Sequence, residues 1–327
     1  MNQPATNEPD ATPQTAVIPT LHITAESIPT AHFRATKAVW EQGRAIRTQY
    51  DRKNRQGEFI DPPSKDAKVL VEIANPFNQP RYPAVSYCEI GKYIAEILGV
   101  KDHLVVPYQE LKDGLASGAL DTKWPYTYHQ RLFAYPLPDG STIDQVELML
   151  ERLVESPYTR RAVASTAVPD IDCHLPEDMP CLREIQLRCT ENEEGVMFLH
   201  MDTKWRSRDL YKAWPDNILG LTFMQALLAR QLGEKMKRQV LVGGYSDYAS
   251  SLHLYGQDLN ERGVDKYISR GERQALASAY DSEVAAEIFL IPHLEELAVE
   301  EYWKFPEETK EEIRRLINDQ KAERYLA

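Results

Sequence analysis

Hydrophobic positions recur along this chain with two different periods. KVLVEIANP, starting at Lys68, alternates apolar and polar residues, is rich in β-branched side chains and stops at Asn-Pro, which predicts a strand. Cys181 to Cys189 and Val196 to Lys204 alternate in the same way around the polar ENEEG, which predicts a hairpin. VLVGGYSDYASSLHLY and the small-residue AVASTAVP also read as strands. Apolar residues spaced three and four apart mark helices instead, at Ala31 to Arg52, Ser86 to Leu98, Gln145 to Glu155 and Asp216 to Met236. Ser86 is a candidate N-cap with Glu89 three residues on, the spacing of a capping box.

Between these elements lie less regular stretches. RKNRQGEFIDPPSKD reads as a polar, proline-containing loop. Asp121 to Tyr135 gathers aromatics around Lys123, His129 and Arg131, and reads either as a core strand or as the wall of a ligand site. Residues 1–20 show no periodicity and are rich in Pro, Thr and Asn, so a disordered tail is expected there and a single domain over 21–327. The last part of that domain, from about 280, is helical and acidic. Strands and helices mix without a βαβ rhythm or a glycine-rich loop, which predicts an α+β fold.

Composition narrows the function more than the fold. At 327 residues and 43% hydrophobic, the chain can bury a sizeable core. A net charge of −12 argues against a DNA partner, although small anions can still bind where arginines concentrate. No stretch is long and apolar enough to predict a membrane span, and the N-terminus lacks a secretory pattern. The cysteines at 88, 173, 181 and 189 have no CxxC spacing, so a reduced, cytoplasmic protein without a metal site is expected.

Candidate chemistry concentrates between Pro180 and Asn217. Cys181 follows a proline, and arginines stand at 160, 161, 183, 188, 206 and 208. A lone cysteine is ordinarily a small buried hydrophobe, but cations lower a thiol pKa and favour the nucleophilic thiolate. Such a soft nucleophile suits addition to C6 of a pyrimidine. Arg160-Arg161 and Arg206-Ser207 offer guanidinium forks and a hydroxyl for phosphate, the plainer alternative being a solvated surface. Asn217 can pair with O4 and N3–H of uracil or simply cap a helix. His253 and Tyr255 point the same way and can hold a ribose hydroxyl or be ordinary strand residues. Glu89 reads by position as the capping partner of Ser86.

Together these motifs resemble the thymidylate synthase family, which includes the pyrimidine nucleotide hydroxymethylases. SPYTRR resembles the family's Pro-x-Ser-Arg-Arg turn, PCL its nucleophile segment with Leu182 in place of histidine, and WRSRDLYKAWPDN its Arg-Ser-x-Asp…Asn segment. SLHLY is similar to its His-x-Tyr, SYCEI to the helix carrying its glutamate, and YTYHQR to its tyrosine wall. The wording at TYHQRLF and WRSRDLYKA is closest to the divergent archaeal and antibiotic-pathway branch.

The resemblance implies a large mixed β-sheet flanked by helices, with a sheet face forming a homodimer and 21–327 as one catalytic domain. It implies Cys181 as nucleophile, Glu89, Tyr128 and Asp209 as further catalytic residues, and Asp209 and Trp124 as contacts to the folate. Arg206, Ser207, Asn217, His253 and Tyr255 would bind the nucleotide, with Arg160 and Arg161 reaching the phosphate of the partner subunit's site. The co-substrate would be 5,10-methylenetetrahydrofolate. Asn217 rather than aspartate favours uracil, so conversion of dUMP to dTMP is the leading expectation. Hydroxymethylation of dUMP, dCMP or CMP is the alternative within the family. A catalytically degenerate nucleotide-binding homologue is the alternative outside it.

Overall fold

The computed structural model describes residues 17–85, 90–120, 124–176, 179–261, 263–299 and 306–321. In chain order these residues form β1 (Thr20–Ala25), α1 (Ile28–Gln42), β2 (Arg44–Ile46), β3 (Ser64–Ile73), α2 (Ile90–Ile97), α3 (Tyr108–Ser117) and α4 (Tyr128–Phe133). They continue with a small hairpin, β4 (Tyr135–Pro136) and β5 (Thr142–Ile143), then α5 (Gln145–Glu155), β6 (Val163–Ser165) and α6 (Pro169–Asp172). Next come β7 (Leu182–Glu191), β8 (Met197–Trp205), β9 (Arg208–Asp209), α7 (Ala213–Met236) and β10 (Val240–Leu254). Short helices follow, the last spanning Glu307–Lys321.

One eight-stranded sheet organises the molecule, in the order β1-β3-β10-β8-β7-β6, with β2 beside β3 and β9 beside β10. It is mixed: β1 runs parallel to β3 and β10 parallel to β8, whereas β3–β10, β7–β8 and β6–β7 are antiparallel. The α+β expectation holds, as does the hairpin around ENEEG. Its turn is set by Gly195 at φ 79° and by Asn192, whose Oδ1 accepts from the Glu194 and Val196 N–H groups at 3.1 and 2.8 Å.

The core lies where α7 covers β8 and β10. Trp214, Leu221, Phe223 and Leu228 of α7 are fully buried, facing Leu199 and Met201 of β8 and Ala249 of β10. This helix is apolar on most of its circumference because α2 packs on its outer side. The bend in β10 at Gly243–Gly244 is also fixed by packing. The His200 ring lies so close that a Cβ on Gly243 would sit 2.7 Å from it.

Three expectations are corrected. The first long helix ends at Gln42, and the chain turns into β2 rather than staying helical to Arg52; at Gly43 an added Cβ would meet the Val39 carbonyl at 2.3 Å. The stretch ending at Tyr135 does not form a long core strand. Thr127 Oγ1 accepts from the Gln130 N–H at 2.9 Å and starts α4, so propensity for a strand yields to a cap. Thr20 already belongs to β1, so the last residue assigned to the irregular N-terminal stretch is in a strand. Ser86 and Glu89 lie outside the described residues, so the expected capping box is not described here.

Candidate active site

Cys181 stands at the mouth of β7, and a bulge between Leu182 and Glu184 follows it directly. A bulge breaks the two-residue alternation and re-aims the side chains beside it. The Cys181 and Leu182 N–H groups both donate to the Tyr128 hydroxyl, at 3.3 and 3.2 Å. This anchors the nucleophile segment to α4. Burial raises the Tyr128 pKa, and the nearby thiol adds to the effect, so the phenol stays protonated and its proton is available to a further partner. The ring of Trp205 meets Tyr128 edge-on, with centroids 6.0 Å apart.

A cavity of about 360 Å³ opens over Cys181, within the usual range of small-molecule sites at roughly 300–1,000 Å³. Arg206, Ser207, His253 and Tyr255 line it together with Cys181, so five of the expected site residues converge on one space. The Arg206 guanidinium donates to the Met179 and Pro180 carbonyls, with Nη2 to Met179 O at 2.6 Å. Those bonds tie it to the loop that carries the cysteine. His253 is 7% exposed, its ring meets that of Tyr255 at 4.5 Å, and burial lowers its pKa. It is therefore a neutral imidazole at neutral pH. Burial pushes the Tyr255 hydroxyl up to about 12.

Asp209 lines an adjoining cavity of about 270 Å³ that shares Tyr50 and Tyr255 with the first. Its Oδ1 accepts from the Tyr211 and Lys212 N–H groups, both at 3.0 Å, which fixes the carboxylate at the approach to α7. Asn217 is held one step behind the cavity. Its Nδ2 donates to Tyr93 Oη at 2.7 Å and its Oδ1 accepts from Arg208 Nε at 3.3 Å. One N–H and one lone pair of the amide remain available. Asp216 beside it has a buried Oδ1 with no hydrogen-bond partner, and burial pushes its pKa up to about 7.

The arginine cluster expected around Cys181 separates in space. Arg206 alone of the six lines the cavity. Arg208 is sealed beneath it in a buried ion pair with Asp247, stacked 3.9 Å from the Trp205 ring. Arg183 reaches the Pro180 carbonyl and Asp172, and Arg188 faces a different hollow on the open side of the sheet. Arg160 and Arg161 precede the edge strand β6, are exposed, and make no side-chain hydrogen bond or ion pair among the described residues. They do not reach the cavity of their own chain. Trp124 lies off it too, under the Lys101 ammonium at 4.2 Å. Of the remaining cysteines, Cys189 is buried and Cys173 exposed.

Sequence reasoning missed Asp66 and Ser251, which also line the cavity. Asp66 was absorbed into a polar loop, yet it sits in β3 directly opposite His253 of β10. Only strand pairing across many residues brings them together, so no local pattern signals it. Among the described residues no group of His, Cys, Asp and Glu could hold a metal ion, and no helix is long and apolar enough to cross a membrane.

The family profile described as "Thymidylate synthase" matches residues 111–312, more than half of the chain. The chain belongs to the thymidylate synthase family. It is therefore a one-carbon transferase by family. Relatives named "Putative thymidylate synthase" include one from Methanosarcina mazei, 30% identical over 72% of this chain and 90% of its own length. Another, from Methanosarcina acetivorans, is 28% identical over 72% of this chain and 90% of its own. A third, from Methanocaldococcus jannaschii, is 34% identical over 40% of this chain and 55% of its own. The mixed eight-stranded sheet flanked by helices is the α+β architecture that membership in the thymidylate synthase family implies.

Proposed function

We propose that this chain transfers a one-carbon unit to C5 of a pyrimidine nucleoside monophosphate through a covalent adduct of Cys181 at C6. The observation that carries the reading is the convergence of Cys181, Arg206, Ser207, His253 and Tyr255 on a single cavity. A thiolate, a guanidinium with a hydroxyl, and two polar rings match the ring, phosphate and sugar of such a nucleotide.

The chemistry assigns each side chain a task. The Cys181 sulfur forms a bond to C6, and the C5–C6 π electrons move onto the C4 oxygen, which makes C5 nucleophilic. Tyr128, protonated and fixed by two backbone donors, supports the loop that aims the sulfur. Asn217 keeps one donor and one acceptor for the base edge, the set that uracil O4 and N3–H require. A base must then remove the C5 proton, and Glu89 is assigned to that relay by the family resemblance. The sulfur–C6 bond breaks in the last step and restores the thiolate.

The neighbouring cavity with Asp209, Tyr50 and Tyr255 fits a second, planar ligand placed against the first. Methylenetetrahydrofolate bound there supplies the one-carbon unit and, for a methyl product, the hydride. Trp124 is proposed to extend that wall. Arg160 and Arg161, exposed and without a side-chain hydrogen bond or ion pair among the described residues, support a homodimer in which they complete the partner's phosphate site. A cytoplasmic setting fits this reading.

Incubation with dUMP, dCMP, UMP or CMP and methylenetetrahydrofolate tests it, with C5 tritium release, dihydrofolate absorbance and product mass followed together. A methyl mass with dihydrofolate identifies a synthase, as the dUMP expectation requires. A hydroxymethyl mass without dihydrofolate identifies a hydroxymethylase. If no nucleotide loses its C5 tritium, transfer is excluded and the nucleotide-binding homologue is left.

A further inference from the structure

One carboxylate holds both chain neighbours of Tyr128. Asp102 stands in a tight turn, Asp102–Leu104, between α2 and α3. Its N–H donates to the Gly99 carbonyl and its carbonyl accepts from the Val105 N–H, both at 3.1 Å, so the side chain is presented from a fixed backbone. Oδ1 accepts from the Thr127 hydroxyl at 2.5 Å, and Oδ2 from His129 Nδ1 at 2.6 Å. The second direction does not depend on the charge of the ring, since a carboxylate only accepts. Thr127 in turn takes the Gln130 N–H at 2.9 Å, so the residue that caps α4 is itself anchored.

Packing leaves the His129 ring little freedom. It stacks on Phe133, with centroids 4.1 Å apart and planes 11° from parallel. It also lies over Gly99 so closely that an added Cβ would sit 2.7 Å from its Cε1. Gly99, at φ 94°, lets the chain leaving α2 pass beneath the ring. Thr127 and His129 are therefore both tied to the end of α2, and Tyr128 stands between them. None of Asp102, Thr127 and His129 lines the cavity over Cys181. Tyr128 alone makes the connection: its hydroxyl takes the Cys181 and Leu182 N–H groups just before the bulge in β7.

We infer that Asp102 is a positioning residue for the Cys181 nucleophile, acting through Thr127, His129 and Tyr128 without touching the substrate. The inference rests on the reading of Cys181 as the nucleophile. The sulfur must lie near its line of attack on C6, and a misplacement of about 1 Å at a reacting atom costs roughly 100-fold in rate. Two N–H donors to one phenol oxygen set where β7 begins, and Asp102 sets where that oxygen stands.

Hydrogen exchange of the Cys181 and Leu182 amides in the full chain tests the tether without any substrate. In Asp102→Ala it is expected to quicken about 10-fold or more, with the β8 amides unchanged. In C5 tritium release with the nucleotide that the unaltered chain turns over, kcat is expected to fall about 10- to 100-fold while KM stays within about 3-fold. Asp102→Asn keeps an oxygen for Thr127 and offers an N–H to the other tautomer of His129, so kcat is expected to recover to within about 3-fold. His129→Phe keeps a stacked ring and loses the bond to Asp102, for a smaller loss of about 3- to 10-fold. Where Asp102→Ala fails to fold, His129→Phe carries both measurements. In a Tyr128→Phe background, Asp102→Ala is expected to cost no more than about 3-fold further, because the path is already cut. Additive losses, or faster exchange confined to α4, overturn the route through Tyr128. Unchanged kcat in the substituted chains, with circular dichroism showing them folded, overturns the positioning role and leaves the transfer standing. If the unaltered chain releases tritium from no nucleotide, the transfer reading falls and this inference with it.

Discussion

Two regions meet at β10, one with its charges paired and sealed and the other lining a cavity. Below the cavity, Arg208 and Asp247 are 3% and 0% exposed and pair with each other. Trp214 Nε1 donates to the same carboxylate at 3.0 Å, and Trp205 covers the guanidinium. On the cavity wall, His253 and Asp66 each keep a buried atom unpaired, and Cys181 and Arg206 face open space. The bulge between Ala249 and Leu252 separates the regions. Without it residues 247 and 253 would share a face; with one residue inserted, Asp247, Ala249, Leu252 and Leu254 turn inward while His253 turns to the cavity. Below the cavity the opposite charges are paired and sealed, although Asp247 Oδ1 has no hydrogen-bond partner of its own, whereas on the cavity wall a thiol and a guanidinium line space that a ligand can fill.

Substitutions should separate the two regions cleanly. Cys181→Ala is expected to lower turnover by about 10⁴-fold or more while leaving the unfolding free energy within about 1 kcal/mol, because the thiol is only half-buried and small. Activity close to that of the unaltered chain would remove the covalent step. Asp247→Ala is the converse. It leaves Arg208 buried without a counter-charge and should cost about 3–5 kcal/mol in urea unfolding. A loss below about 1 kcal/mol would mean that the region under the cavity is not sealed.

Asp216 sharpens the boundary, since it sits beside Asn217 with a buried, unpaired oxygen of its own. Burial pushes its folded pKa up to about 7, above the roughly 3.9 of an unfolded aspartate. The protonated form is thus favoured by folding. Its contribution to stability is complete below about pH 4 and is lost as pH rises to about 7. Asp216→Asn should then exceed the unaltered chain in stability by about 4 kcal/mol at pH 8, with the difference shrinking towards pH 4. Parallel pH profiles of the two proteins would show that Asp216 is solvated after all.

How far the sequence revealed these regions depends on the range of the contacts. The hairpin around ENEEG, α5 and α7 were legible because periodicity and turn residues are local. Cys181, Arg206, Ser207, His253 and Tyr255 were legible as chemistry in ordered motifs, and the structure gathers them. Arg208 looked like a member of the same cationic cluster as Arg206. Only the position of Asp247, 39 residues away, shows that its charge is already spent. Asp66 was illegible for the same reason: its partner Ser251 lies 185 residues on. Composition near a motif shows which groups are available. It does not show which of them are already paired.

Arg160 and Arg161 carry the comparison to the surface. Like the cavity wall they are unsatisfied, but they are exposed rather than buried, so leaving them unpaired costs little within one chain. The double substitution Arg160→Ala/Arg161→Ala should therefore change the unfolding free energy by no more than about 0.5 kcal/mol per site. If the pair completes a partner's phosphate site, the same variant should still lose most of its turnover. Mixing it with Cys181→Ala allows one hybrid cavity with both an intact cysteine and an intact arginine pair. Up to about one quarter of the unaltered activity is then expected from random pairing of equal amounts, in a two-fold assembly where each cavity draws on both chains. Subunit exchange without recovered activity would return Arg160 and Arg161 to the solvated surface, and would leave Arg206 as the cavity's own phosphate ligand.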